Sequence, residues 1–143
     1  MKKILIATDF SKHSRYTVEY ILELLESTQI PCRICLLNTY IVQHTDPARV
    51  ILLNDELKNI SRTRLERELA ELQKKVKNPK ISIEIASHMG SLNNVVMQMV
   101  QKDNYDMVAM GKNGGENVET ISKMLKQQKC PLLITYLREE NIA

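Results

Sequence analysis

Tryptophan is absent from this 143-residue chain and phenylalanine occurs once, at Phe10. Base-stacking platforms for single-stranded nucleic acid are therefore poorly supplied, and no nucleic-acid partner is expected. No stretch approaches the roughly 20 consecutive apolar residues of a membrane span. The opening "MKKILIATDF" carries two lysines and a short apolar run that breaks at Thr8-Asp9, so it reads as a buried first strand rather than a signal peptide. Three cysteines, Cys32, Cys35 and Cys130, are too few and too scattered for a disulfide framework. "CRIC" has CxxC spacing, but it lies in a strand-like run, where positions three apart point to opposite faces. Core cysteines are expected, and the strand-like start of the chain goes with a cytoplasmic location. Charge is nearly balanced at +3, and the bases between Lys58 and Lys80 are interleaved with glutamates, as on a solvated helix face.

What is present is a regular alternation of elements. Ile4–Ala7 is a continuous apolar run of the kind found in buried parallel strands. Ser11 can cap a helix carrying Val18, Ile21, Leu22 and Leu25 on one face. "CRICLLN" supplies a second strand, followed by an irregular stretch containing Pro47. A long helix is predicted from about Asn54, with Leu57, Ile60, Leu65, Leu69, Leu72 and Val76 as its apolar stripe, ending at Asn78-Pro79. "KISIEIA" alternates strictly, which places the third strand at a sheet edge with one face in water. Gly90-Ser91 opens a third helix, "YDMVAMG" is a fourth strand, and a short helix around Ile121 and Leu125 precedes the fifth strand, "CPLLITYL". The order β-α-β-α-β-α-β-α-β predicts one doubly wound α/β domain over residues 1–143 with a five-stranded parallel sheet.

Ligands of such sheets bind beyond the carboxyl ends of the strands, where strand order reverses. Thr8-Asp9, Asn38-Thr39, Ser87-His88 and Gly111 onward are the residues at those ends. Only four glycines occur, and three of them crowd into "MGKNGGENVETISKML". A glycine-rich turn feeding a helix N-terminus favours a phosphate through its backbone N–H groups and the helix dipole.

In order and at suitable spacing, "ILIATDFSKHS", "HMGSLNNVV", "YDMVAMGKNG" and "CPLLIT" resemble the universal stress protein family. The resemblance implies strand order 3-2-1-4-5, helices on both faces, and a cytoplasmic homodimer made under stress. It also implies a phosphate motif, Gly-x-x-Gly followed about nine residues later by Gly-Ser or Gly-Thr. Gly111 and Gly114 match its first half; Met124 and Leu125 stand at the spacing of the second. Counting back from Pro131 puts Glu119-Thr120 there instead, which would retain the Thr120 hydroxyl. Glu116 and Glu119 then stand close to where phosphates would lie, which is unfavourable without a cation. The chain resembles the UspA subgroup, which lacks a full ATP motif.

Each candidate residue also has a plain structural reading. Asp9 matches the family's adenosine-contacting aspartate, and it can equally shape the turn into the first helix. Gly111 and Gly114 can bind nucleotide or make a tight turn. His13, His44 and His88 lack metal-ligand spacing. No carboxylate cluster of the response-regulator kind and no Gly-x-Ser-x-Gly elbow is present, so no enzyme is expected. The reading is a non-enzymatic, dimeric stress-response factor with weak or no ATP binding and no cofactor, working through a protein partner. The alternative is an ATP-dependent switch with slow hydrolysis, using Asp9, Thr39, Gly111, Gly114 and Thr120 with Mg²⁺. The β-prone edge Leu132–Leu137 is the expected dimer contact.

Overall fold

The computed structural model describes residues 1–112 and 118–138. Five strands and four helices alternate along the chain: β1 (Lys2–Ala7), α1 (Lys12–Leu24), β2 (Cys32–Tyr40), α2 (Pro47–Lys75), β3 (Ile81–Met89), α3 (Leu92–Lys102), β4 (Met107–Gly111), α4 (Val118–Gln127) and β5 (Leu132–Thr135). The strands form one parallel sheet in the order β3-β2-β1-β4-β5. The alternating strand β3 is therefore at an edge, as its pattern required.

Side-chain parity divides the core into two layers. Ile4 and Ile6 of β1 pack with Ile34 and Leu36 of β2 against Val18 and Ile21 of α1 and Leu65 and Leu72 of α2. On the other face Leu5, Cys35, Leu37, Val108 and Met110 pack against Val95 and Val96 of α3 and Ile121 and Leu125 of α4. Each such residue, fully buried, contributes about 1.5–3 kcal/mol. The edge strand follows the same rule: Ile81, Ile83 and Ile85 pack on the α1/α2 layer, while Ser82 and Glu84 are exposed.

The helix starts are local. Ser11 caps α1 by accepting the Ser14 N–H at 3.3 Å, and Ser91 caps α3 in the same way with Asn94 at 3.3 Å. Helix α2 departs from expectation by starting at Pro47, about two turns before Asn54. Asp46 caps it, accepting the Ala48 N–H at 3.0 Å, and Pro47 stands in the first turn, where its missing donor costs nothing. The proline is a helix start rather than part of an irregular stretch. Its apolar stripe is also displaced: Ile60 is 55% exposed and Ser61 takes the buried position between Leu57 and Leu65.

Cys35 packs in the α3/α4 layer, and burial pushes its thiol up to about 11. A thiol so far from ionising is a poor nucleophile at neutral pH, in keeping with a core cysteine. All three cysteines are buried and free.

Candidate functional site

The chain leaves β1 toward β2 and β3 on one side and returns to β4 and β5 on the other. The carboxyl ends of β1 and β4 therefore flank the point where strand order reverses. A cleft of about 140 Å³ opens there, with Thr8 and Asp9 on one wall, Met110 and Gly111 on the other, and Thr39 of β2 and Leu92 of α3 completing it. Asp9, Thr39 and Gly111 are thus brought together. Thr120 lies in the first turn of α4 and is not among the residues lining this cleft. Gly114, like Glu116, lies outside the described residues.

The exposed Asp9 is tied into the turn that starts α1. Its Oδ1 accepts the Ser11 N–H at 2.9 Å and the Ser14 hydroxyl at 2.8 Å, and its own N–H donates to Ser14 Oγ at 3.1 Å. A carboxylate at this place also complements the helix dipole. The next residue, Phe10, has φ 66°, an uncommon value for a side chain of this size, and its N–H donates to Thr8 Oγ1 at 3.1 Å. These bonds show Asp9 shaping the turn into α1.

Gly111 is buried where β4 passes under α1. A Cβ there would lie 2.8 Å from the His13 carbonyl oxygen and 2.9 Å from Thr17 Oγ1. Above it, Thr17 donates its hydroxyl hydrogen to the His13 carbonyl at 3.0 Å, so Thr135 is left to donate to Thr17 at 2.7 Å. The glycine is thus required by the approach of strand to helix.

Behind the cleft, Ser87 of β3 donates to Ser61 of α2 at 2.7 Å, and Ser61 donates to Asn38 Oδ1 at 2.7 Å. Asn38 Nδ2 then donates to the Thr8 carbonyl at 2.8 Å. This chain of hydrogen bonds links the edge strand, the long helix and the central strand, and it holds the backbone that bears Asp9. The sequence signal for it was the polar Ser61 at the i+4 position from Leu57 and the i−4 position from Leu65.

The cleft offers hydroxyl, amide and carboxylate groups beside apolar Leu92 and Met110, a mixture suited to a small polar ligand. Its volume is below the roughly 300–1,000 Å³ usual for ligand pockets. Among the described residues no group of three or more His, Cys, Asp or Glu side chains stands together to hold a metal ion. Nor is any described helix long and apolar enough to cross a membrane.

Comparison with solved structures finds the same architecture repeatedly. A universal stress protein from Arabidopsis thaliana with AMP bound matches with a TM-score of 0.69 and 18% identity, covering 96% of this chain and 93% of that one. The universal stress protein UspA from Lactobacillus plantarum matches with a TM-score of 0.69 and 15% identity, covering 93% of this chain and 96% of the other. A universal stress protein in complex with cAMP matches with a TM-score of 0.61 and 16% identity over 94% of this chain and 96% of its own. At such identities these likenesses speak for the fold. No curated protein sequence matches the chain significantly. The family model for universal stress proteins, however, matches residues 1–135, all but the last eight of the chain. With that match spread over a five-stranded 3-2-1-4-5 sheet, the chain belongs to the universal stress protein family.

Proposed function

We propose that this chain is a non-enzymatic, dimeric, cytoplasmic stress-response factor that binds ATP weakly or not at all and acts through protein contacts. The observation that carries this reading is how far the groups at the strand ends are committed to the fold. Gly111 accommodates α1, Asp9 Oδ1 holds the α1 turn, and Asn38 anchors the Thr8 carbonyl, around a cleft of only about 140 Å³. A second reading has its own support: the cleft lies at the topological switch point, and two proteins of this fold have been solved with AMP and cAMP. In that reading Asp9 would contact the adenosine part, and Gly111, Gly114 and Thr120 would face the phosphates, with Thr39 completing the site.

Calorimetric titration with ATP, beside chromatography of small molecules released from the denatured protein, separates the two. The expected result is an empty protein and no binding heat below about millimolar ATP, equivalent to less than about 4 kcal/mol of affinity. Stoichiometric adenine nucleotide, or a Kd of a few micromolar (about −7 to −8 kcal/mol), overturns the first reading in favour of the second.

The dimer is assigned to β5. Pro131, just before β5, and Thr135 at its end offer their carbonyls to Val108 of β4 and to Lys112 just beyond it, so the odd-numbered residues turn their backbone groups toward β4. Leu132 and Ile134 consequently present their N–H and C=O groups to the open edge, which is a template for a second strand. The strand itself ends at Thr135, and Tyr136, 62% exposed, lies just beyond it. Ile134→Lys is expected to give a monomer in light scattering. Because Ile134 also packs on the α3/α4 layer, circular dichroism serves as the folding control, and Tyr136→Lys adds an exposed second position. Dimers that persist in both folded variants refute the assignment.

A further inference from the structure

On the far side of the Thr8–Ser11 turn from the strand-end cleft, α1 and α2 enclose a second pocket, of about 120 Å³. Three arginines line it, Arg15 from the first turns of α1 and Arg64 and Arg67 from the middle of α2. Phe10 forms its apolar wall, and Arg64 lies over the Phe10 ring with 4.4 Å to the centroid. Two carboxylates, Glu68 and Glu71, complete the lining. Burial raises the Glu68 carboxyl, while the nearby Arg15 and Arg64 charges, against that, favour its ionised form.

Arginine side chains usually sit apart on a surface, because like charges brought together repel. Here three come together from helices separated by some fifty positions in sequence, and two carboxylates offset only two of their charges. Stacking on Phe10 holds Arg64 in place. Phe10 reaches that position through its left-handed backbone, φ 66°, uncommon for a side chain of this size. The pocket stands beside the start of α1, where the helix dipole also favours negative charge. Its volume of about 120 Å³ leaves room for a small anion. Guanidinium forks match phosphate oxygens bidentately.

We propose that Arg15, Arg64, Arg67 and Phe10 form a binding site for a small multiply charged phosphate anion, distinct from the strand-end cleft. This does not rest on either reading of that cleft. Phe10 acts as the rigid seat for Arg64, the three guanidinium groups as donors, and Glu68 and Glu71 as the elements that hold the arginines extended and limit affinity when the site is empty.

The probe is inorganic pyrophosphate, added to ¹⁵N-labelled full-length protein and followed by amide chemical shifts. The expected shifts are confined to Phe10–Arg15 and Arg64–Glu71, saturating with a Kd of about 1 mM. Arg64→Gln with Arg67→Gln weakens binding by about tenfold or more, and Glu68→Gln with Glu71→Gln strengthens it by about tenfold, each tenfold being about 1.4 kcal/mol. The second variant keeps the proposal falsifiable, since it removes no donor and gains rather than loses binding. Absence of shifts up to about 10 mM pyrophosphate, shifts centred instead on Thr8, Thr39 and Gly111, or affinity unchanged in the glutamine variants would each overturn it.

Discussion

Gly111→Ala unfolds with about 3 kcal/mol less free energy than the native chain, which lowers its melting temperature by about 10 °C. The added methyl would sit 2.8 Å from the His13 carbonyl oxygen and 3.0 Å from its carbon, and both belong to helix backbone. A flexible side chain could swing away from such a contact, but these atoms can yield only if α1 lifts from the sheet. That lift would also stretch the Thr17–Thr135 hydrogen bond of 2.7 Å, which ties the end of β5 to the same helix. The cost therefore includes overpacking and part of a buried polar contact. Thermal and urea unfolding followed by circular dichroism measure it. A loss below about 1 kcal/mol, the ordinary effect of a mutation, would mean that α1 is free to shift. In that case the glycine would have to be explained by the loop it begins.

Asn38→Leu is expected to cost a similar amount, about 3 kcal/mol, by a different mechanism. The substitution keeps the volume but removes both ends of one amide. The Thr8 carbonyl then loses its 2.8 Å donor and the Ser61 hydroxyl its 2.7 Å acceptor, both in buried surroundings. Each buried polar group left without a partner costs about 1–3 kcal/mol. Ser61→Ala alone is milder, because it leaves Asn38 its bond to Thr8 and Ser87 closer to the surface. The double variant should cost less than the sum of the two, by about 1 kcal/mol, since its members share one chain of hydrogen bonds. Strict additivity in urea unfolding would show that Asn38 and Ser61 act separately, and that α2 does not brace the Thr8–Asp9 turn.

Most of the fold was legible in the sequence because its signals are local. The unbroken run Ile4–Ala7, the alternation of Ile81, Ile83 and Ile85, and the caps Ser11 and Ser91 each depend on neighbours within a few positions. Where local signals compete, tertiary packing decides between them. Pro47 starts a helix once Asp46 caps it, and Ile60 yields the buried place to Ser61 because a hydrogen-bonded hydroxyl fits there between Asn38 and Ser87.

The sequence by itself determined the order of elements, the two apolar layers and the residues that would stand at the strand ends. Asp9, Thr39 and Gly111 do meet at one cleft. Only the tertiary structure decided what those residues touch: that Gly111 is required by the His13 carbonyl, that Asn38 is held from α2, and that Arg15 meets Arg64 and Arg67 around Phe10. The physical reason is separation along the chain. Periodicity and capping are written within one turn or strand, whereas a close backbone approach, a buried hydrogen-bond chain or a cluster of charges joins residues that only the packed sheet and helices bring within reach.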